Sequence, residues 1–225
     1  MARLPRLALA GHTHYLIQRG HGSLVGRGVF VDELDRSTFL TTLREAAAVE
    51  RVQVHAYALL ADEVQLLLTP AEAPALGRLM QALGRRYVSA YNRRHGHHGS
   101  LWDGRFRCAV VEPGATRLAL LCLIDGQSAE VQVTSARQRS GGSREAGLVD
   151  PPELWQLGNT PFEREAAYLA LLNQGVPPAQ AESLRRAALG GWAIGSPGFI
   201  AEVAEMAARP ARPRAPGRPP RPDRP

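Results

Sequence analysis

The densest concentration of side chains that could do chemistry is an arginine-rich segment, residues 78–107. It has a single acidic residue, Asp103, and seven arginines: Arg78, Arg85, Arg86, Arg93, Arg94, Arg105 and Arg107. Guanidinium groups bind phosphate oxygens in a two-pronged geometry, and the rings of Tyr91 and Trp102 can stack on unpaired bases. The segment therefore predicts a surface for single-stranded nucleic acid. The alternative is an ordinary solvated helix face with its aromatic residues in the core.

Two histidine groups and one loop are further candidates. His12-Thr13-His14 places two imidazoles on one strand face, and we favour a surface or partly buried pair over a metal site. Residues 95–98 carry three histidines without a second type of ligand nearby, which predicts a polar loop. Gln18 and Arg19, followed by a glycine-rich loop, form a second candidate contact with nucleic acid.

The net charge of +6 is unevenly distributed along the chain. The last 17 residues, Arg209 to Pro225, hold six arginines and one acid, so they carry +5 and leave +1 for everything before them. The chain has no lysine. An all-arginine set of cations suits phosphate binding, but a GC-rich genome gives the same composition. Positive charge in the body of the protein must therefore be judged by its clustering.

Composition also restricts the class of protein. At 44% apolar residues the chain can bury a core. It has no apolar run of 18 or more residues, so no membrane-spanning helix is predicted, and its first 18 residues lack the apolar region of a signal peptide. Cys108 and Cys122 lack the spacing of a metal site and are too few for a disulfide framework. We expect reduced, buried thiols in a cytoplasmic protein.

Apolar periodicity predicts alternating strands and helices through residue 125. The predicted strands are His14–Gln18, Val52–Leu60, Val64–Thr69 and Phe106–Val111, and the predicted helices are Asp35–Glu50, Pro74–Arg94 and Ala115–Asp125. The alternating residues of the second strand are expected to share one face; they are Val52, Val54, Ala56, Ala58 and Leu60. The short link at Ala61 and Asp62 predicts a hairpin. This order predicts an α+β fold, a ferredoxin-like antiparallel sheet with helices on one face.

Composition and apolar periodicity together divide the chain into four predicted parts. Residues 1–135 form the predicted main domain, and the polar Gly/Ser-rich segment 136–148 is a predicted linker. Residues 149–208 are predicted to form a small helical C-terminal region. Its first helix is expected to begin with a capping box at Thr160 and Glu163, and further helices follow at Pro178–Leu189 and from Ser196 onward. Residues 209–225 form an Arg/Pro-rich tail that is predicted to be disordered.

Several short motifs, in a fixed order, carry a resemblance to a known family. The motifs are Gln18-Arg19-Gly20, Leu66-Leu67-Leu68-Thr69-Pro70, Leu79-Met80-Gln81-Ala82-Leu83-Gly84-Arg85-Arg86-Tyr87, Tyr91-Asn92, Leu101-Trp102-Asp103-Gly104-Arg105-Phe106, Glu163-Arg164-Glu165-Ala166-Ala167-Tyr168 and Gly191-Trp192-Ala193-Ile194-Gly195-Ser196. With them the chain resembles the HUH single-tyrosine transposases, in particular the branch of REP-associated tyrosine transposases, over most of its length.

The resemblance implies chemistry on single-stranded DNA beside a hairpin. In that family a His-hydrophobic-His pair on one strand face holds a divalent metal ion, which polarises the scissile phosphate. A tyrosine on a later helix attacks the phosphate and keeps it as a covalent link. An amide one helical turn after the tyrosine can complete the metal site.

The chain departs from the family's pattern at the catalytic positions. Glu63-Val64-Gln65 stands where the histidine pair is expected, Leu123 stands at the tyrosine position, and Gln127 keeps the amide. Leucine cannot act as a nucleophile. Carboxylate and amide oxygens can still bind Mg²⁺ or Mn²⁺, so Glu63, Gln65 and Gln127 form a degenerate candidate metal site. The alternative is a set of polar side chains on a solvated edge, and no other cofactor is expected.

Three functions are consistent with these observations. We favour a transposase-family protein that binds single-stranded or hairpin DNA through Arg85, Arg86, Arg93 and their neighbours but does not cleave it, a pseudoenzyme. The second hypothesis is an active metal-dependent transposase or nuclease with replaced ligands. The third is a decayed transposase with no selected function. Whether the chain is an enzyme therefore stays open at this stage.

Overall fold

A five-stranded antiparallel sheet organises the protein, described here by a computed structural model for residues 5–24, 27–127 and 133–213. Its strands are β1 (Thr13–Arg19), β2 (Val52–Leu59), β3 (Glu63–Pro70), β4 (Arg107–Val111) and β5 (Val133–Thr134). The spatial order is β4-β1-β3-β2-β5, and all neighbours are antiparallel. The first four strands have the ferredoxin-like order, which confirms the predicted α+β class; β5 adds a short strand at one edge.

The first face of the sheet is covered by two long helices, α1 (Glu33–Val49) and α2 (Ala75–His95). The apolar stripe of α2 packs on residues of β1 and β3, together with Phe39 and Leu43 of α1. The buried residues of this stripe are Leu76, Leu79, Leu83, Tyr87 and Tyr91. The Asp32 side chain caps the start of α1, and Gly96 ends α2 in the left-handed region at φ 60°. This face was expected from the periodicity.

The second face is covered as well, by α3 (Ala115–Asp125), α4 (Pro152–Trp155), α5 (Pro161–Gln174) and α6 (Pro178–Gly190). Tyr15, Ile17 and Leu67 of the sheet share one core cluster with apolar residues of these helices. The predicted capping box of α5, at Thr160 and Glu163, is present. A last helix, α7 (Pro197–Met206), packs in a third cluster beside β4. The C-terminal helices therefore share the core of the main sheet.

A β-bulge corrects the predicted faces of β2. The register with β3 shifts between Val54 and Ala56, and an extra residue reverses the side on which every later side chain lies. Val52 and Val54 consequently belong to the first-face core, whereas Ala56 and Ala58 belong to the second. Simple alternation along residues 52–60 could not reveal this.

The predicted linker, residues 136–148, is packed against the domain. A short 3-10 helix at Ser135–Arg139 buries Arg139, whose Nη1 donates to Asp125 Oδ2 at 2.8 Å and whose Nε donates to Asp150 Oδ1 at 3.0 Å. Leu148 enters the first-face core. Polar residues of the segment thus form hydrogen bonds within the protein, and the predicted linker packs against the domain rather than extending from it.

The predicted disordered tail also begins later than expected. Ala211 is buried, and its carbonyl accepts a hydrogen bond from Ala193 N at 2.8 Å. Arg209 donates to the carbonyl of Gly191 at 3.1 Å. Residues 209–213 are thus part of the packed structure, and the rest of the tail, 214–225, lies outside the described residues.

Two expectations about the class of protein concern cysteines and membranes. Cys108 and Cys122 are both free and buried, and burial raises the pKa of each thiol to about 11. Within the described ranges, none of the helices is both long and apolar enough to cross a membrane.

Replacing Arg139 with methionine should destabilise the protein strongly. Asp125 also accepts hydrogen bonds from Ser135 and Tyr168, so it would stay buried as an uncompensated charge. We expect the free energy of unfolding to fall by about 3–5 kcal/mol in urea titrations. Arg137→Met, two residues earlier and exposed, is the matched control and should change it by less than about 0.5 kcal/mol. Equal effects of the two substitutions would contradict a structural role for Arg139.

Candidate functional site

The candidate metal ligands of β3 lie on the second face of the sheet. Glu63 and Gln65 are two residues apart, so their side chains point the same way, and both are buried. Leu67 continues this row into the second-face core. Helix α6 lies over the row and contributes Arg185.

Arg185 forms a two-pronged ion pair with Glu63. Its Nη1 donates to Oε1 and its Nη2 donates to Oε2, each at 2.5 Å. The Gln65 amide donates to Glu63 Oε1 at 2.9 Å, and the Tyr15 hydroxyl donates to Gln65 Oε1 at 2.8 Å. Every polar atom of Glu63 and Gln65 consequently has a partner within the protein.

Two groups of this cluster, Arg185 and Tyr15, have raised pKa values. The hydrogen bond with Glu63 raises the pKa of Arg185. Burial, and secondarily the Glu63 charge, raises the pKa of the Tyr15 phenol above its ordinary value. Tyr15 therefore stays protonated as a donor, and its hydroxyl is held by Gln65 rather than activated as a nucleophile.

The three candidate ligands come together in one open cavity of about 560 Å³. Glu63, Gln65 and Gln127 line it with Arg19 and Arg185. Arg19 is half-exposed at the sheet end, and its Nε lies 3.6 Å from Glu63 Oε2. The sequence thus predicted the proximity of the three ligands, but it did not predict Arg185.

The strand pair of Glu63 and Gln65 does not fit a divalent metal ion. Both oxygens of Glu63 bind the Arg185 guanidinium, and the only amide oxygen of Gln65 accepts from Tyr15. A metal ion would have to displace a fixed cation from a buried carboxylate. In the part of the chain that the structure describes, no group of three or more His, Cys, Asp or Glu could hold a metal ion.

Position 123 offers no nucleophile, and the nearby tyrosine is committed elsewhere. Leu123 of α3 is half-buried and packs against the second-face core. Tyr168 of α5 belongs to the same core cluster, and its hydroxyl donates to Asp125 Oδ2 at 2.6 Å. Burial, followed by the Asp125 charge, raises the pKa of Tyr168, so this phenol acts as a structural donor.

Three of the five arginines on α2 are engaged with acidic residues. Arg78 pairs with Glu50 and Glu72, and Arg86 pairs with Glu45. Arg94 pairs with Asp32 and Asp35. These carboxylates come from α1 and the loops beside it.

The other two arginines of α2, Arg85 and Arg93, are exposed. Neither has an acidic partner among the described residues. The predicted basic helix face is consequently narrower than its sequence indicates.

The structure corrects the assignment of Tyr91 as a base-stacking residue. Tyr91 is only 1% exposed, and its hydroxyl donates to the Gly28 carbonyl at 2.9 Å. Trp102 is half-buried, with its ring centroid 6.3 Å from that of Tyr87 and 6.5 Å from that of Phe39. Part of its side chain stays exposed, and its role in base stacking stays a prediction.

The histidine candidates have local partners. His14 is fully buried, its Nε2 accepts from Leu9 N at 3.2 Å, and burial lowers its pKa to about 4. His95 lies 3.0 Å from Asp35 Oδ2 and packs on Tyr91 with ring centroids 4.4 Å apart. His14 is thus more buried than expected for a surface or partly buried pair, whereas His12 is half-buried.

Arg105 and Arg107 lie apart from the helix arginines in the fold. Both are exposed at the start of β4. They line a cavity that also includes Arg6 and Arg209, from near the two ends of the described chain. Their neighbours in sequence gave no sign of this grouping.

Comparisons with known proteins give two structural likenesses. The REP-associated tyrosine transposase bound to a REP hairpin matches with a TM-score of 0.42 and 11% identity, covering 56% of this chain and 71% of that protein. A protein of Deinococcus radiodurans R1 described as a candidate transposase matches with a TM-score of 0.38 and 25% identity, covering 57% and 99%. Both scores are too low to establish a shared fold. No protein-family model and no curated protein matches the chain.

A double-mutant cycle should detect the coupling of Glu63 and Arg185. Removing either partner leaves the other charge unpaired, so Glu63→Gln and Arg185→Met should each destabilise the fold, and together by less than the sum. We expect a coupling free energy of about 1–3 kcal/mol in urea unfolding. The control is Glu182 and Arg186, an exposed i,i+4 pair on the same helix, whose coupling should be close to zero. Additive effects at Glu63 and Arg185 would rule out the proposed pairing.

The buried His14 should make stability depend on pH. Its folded pKa of about 4 lies below the unfolded value of 6.5, so the unfolded chain binds the proton first as pH falls. Stability should be full above pH 6.5 and decline by up to about 3 kcal/mol toward pH 4. Burial lowers the pKa of His55 as well, which adds to the decline. Urea unfolding of His14→Leu should give a flatter profile, and an unchanged slope would show that His14 is not responsible.

Proposed function

We propose that this chain is a transposase-family protein that binds single-stranded or hairpin DNA without cleaving it. The family assignment rests on the ordered sequence motifs, above all Leu79 to Tyr87 and Leu101 to Phe106. The ferredoxin-like strand order is compatible with it. The expected cytoplasmic location stays a prediction.

The absence of cleavage is supported by one observation above the others, the closed Glu63–Arg185 pair. A catalytic metal ion needs free ligand atoms and an open coordination position for the phosphate. Here a guanidinium takes the only carboxylate of the strand pair. The leucine at position 123 removes the nucleophile independently, so restoring one element alone would not restore the reaction.

DNA affinity is supported by the arginines that the fold leaves without carboxylates. Arg85 and Arg93 share the solvent side of α2, and Arg105 and Arg107 lie at the start of β4. The paired arginines Arg78 and Arg86 are not excluded from binding, because exposed ion pairs contribute little stability and a phosphate can replace the carboxylate. We infer that the unpaired residues make the main contacts and the paired ones secondary contacts.

Metal independence is the most direct test of this proposal. Labelled DNA hairpins with single-stranded flanks should bind in fluorescence anisotropy equally well with Mn²⁺ and with a chelator. Denaturing gels of the same mixtures should show neither cleavage nor a covalent adduct. Chelator-sensitive cleavage would instead establish the active nuclease, and the absence of any affinity would support a decayed protein.

Removing Arg85 and Arg93 together should weaken DNA binding through phosphate contacts. We expect Arg85→Gln/Arg93→Gln to lower hairpin affinity at least about tenfold, since hydrogen bonds to charged groups are the strong ones. The slope of log affinity against log salt should shrink by about 0.7–0.9 for each lost contact. Arg186→Gln, exposed on α6, is the control and should change neither quantity. An unchanged slope in the double variant would exclude this face of α2.

A further inference from the structure

A second cation cluster surrounds a cavity where β4 begins. Four separate segments of the chain converge there, residues 5–7, 105–108, 190–192 and 209. The cavity encloses about 200 Å³ and is lined by Arg6, Arg105, Arg107 and Arg209 together with the rings of Phe106 and Trp192. A buried water needs only about 10–15 Å³ of such space, so a phosphate group fits with room to spare.

Four of the described residues around the cavity are arginines. None of the described residues that line it is acidic. Arg209 donates to the carbonyls of Pro5, Gly191 and Pro210, which fix its position, and it pairs with no carboxylate of the described residues. Burial lowers the pKa of Arg209, because desolvation disfavours the charged form.

Two of the arginines lie over aromatic rings. The guanidinium carbon of Arg6 lies 3.8 Å from the centroid of Phe106, and that of Arg209 lies 5.7 Å from the centroid of Trp192. A guanidinium group over an aromatic ring is attracted to the ring face, and its planar set of N–H donors matches the oxygens of a phosphate. The lining thus combines cations with aromatic rings.

The edge of the sheet shapes the opening. Residues 192–194 pair beside the end of β4, through Ile194 N to Val110 O and Glu112 N to Ile194 O, both at 2.8 Å. This pairing covers the far end of the edge strand and leaves its start, at Arg107 and Cys108, lining the cavity. The exposed side chains of Arg105 and Arg107 reach the opening from the solvent side.

We propose that this cavity binds a phosphate group of a DNA strand. The inference deepens the proposed DNA-binding function and rests on it for the identity of the strand. The phosphate chemistry itself rests only on the cavity. Both a terminal phosphate and an internal phosphodiester carry the required oxygens, and the experiment separates them.

The first arm of the test uses inorganic pyrophosphate and no DNA. Thermal unfolding of the full chain should show stabilisation by pyrophosphate beyond that given by chloride at equal ionic strength. The stabilisation should disappear in Arg105→Gln/Arg107→Gln, whose side chains have no hydrogen-bond or ion-pair partner among the described residues. Arg137→Gln/Arg186→Gln removes the same charge at exposed positions to which no DNA contact is assigned and should keep it. Equal stabilisation of both double variants by pyrophosphate would overturn the proposal.

The second arm uses one DNA strand with either a 5′-phosphate or a 5′-hydroxyl end. Arg105→Gln/Arg107→Gln should bind the strand at least about tenfold more weakly than the unaltered protein. A loss confined to the phosphorylated strand identifies a terminal phosphate, and an equal loss for both strands identifies a phosphodiester. Pyrophosphate binding without DNA affinity would refute only the proposed function. Unchanged DNA affinity in this variant would refute the cavity's role while leaving the α2 contacts intact.

Discussion

Burial of both faces of the central strands dictates much of the rest of this structure. β1 and β3 lie inside the sheet with helices above and below, so a polar side chain on either strand must find its partner within the protein. An isolated buried carboxylate costs several kcal/mol, and Glu63 is therefore tied to Arg185. The same requirement explains why Asp125 is surrounded by Arg139, Tyr168 and Ser135.

A guanidinium and a divalent metal ion can both neutralise a buried carboxylate, but the chemical consequences differ. A metal ion bound to two side chains keeps open positions at which a phosphate oxygen can be polarised. Both terminal nitrogens of Arg185 donate to the Glu63 carboxylate. The guanidinium neutralises this carboxylate without offering a vacant coordination site. Because Arg185 comes from α6, the interaction also fastens the C-terminal helices to the sheet. The same ion pair thus stabilises the fold and occupies the carboxylate that a metal ion would need.

The sequence was informative wherever a structural property is local. The apolar stripe of α2, the hairpin of β2 and β3, and the capping box of α5 depend on residues within a few positions of one another. Partners distant along the chain were missed, since Arg185 lies 122 positions from Glu63. Tyr91 was misassigned although it belongs to the apolar stripe of α2, because the assignment followed the arginines beside it in the sequence. The segment 136–148 resembled a linker because the acidic partners of Arg139 are distant in the sequence and become neighbours only through folding.

The arginines show most clearly which part of the site the sequence alone could not predict. A chain without lysine uses one side chain both to hold the fold and to bind ligands, so density along the sequence does not distinguish the two roles. Arg94, Arg139 and Arg185 are committed to buried or half-buried carboxylates. Around the cavity at β4 the fold instead gathers four arginines from distant parts of the chain, with no carboxylate among the described lining residues. Buried or clustered polar groups that lack compensating partners are typical of a ligand site, which is why we place phosphate recognition there in addition to the basic helix.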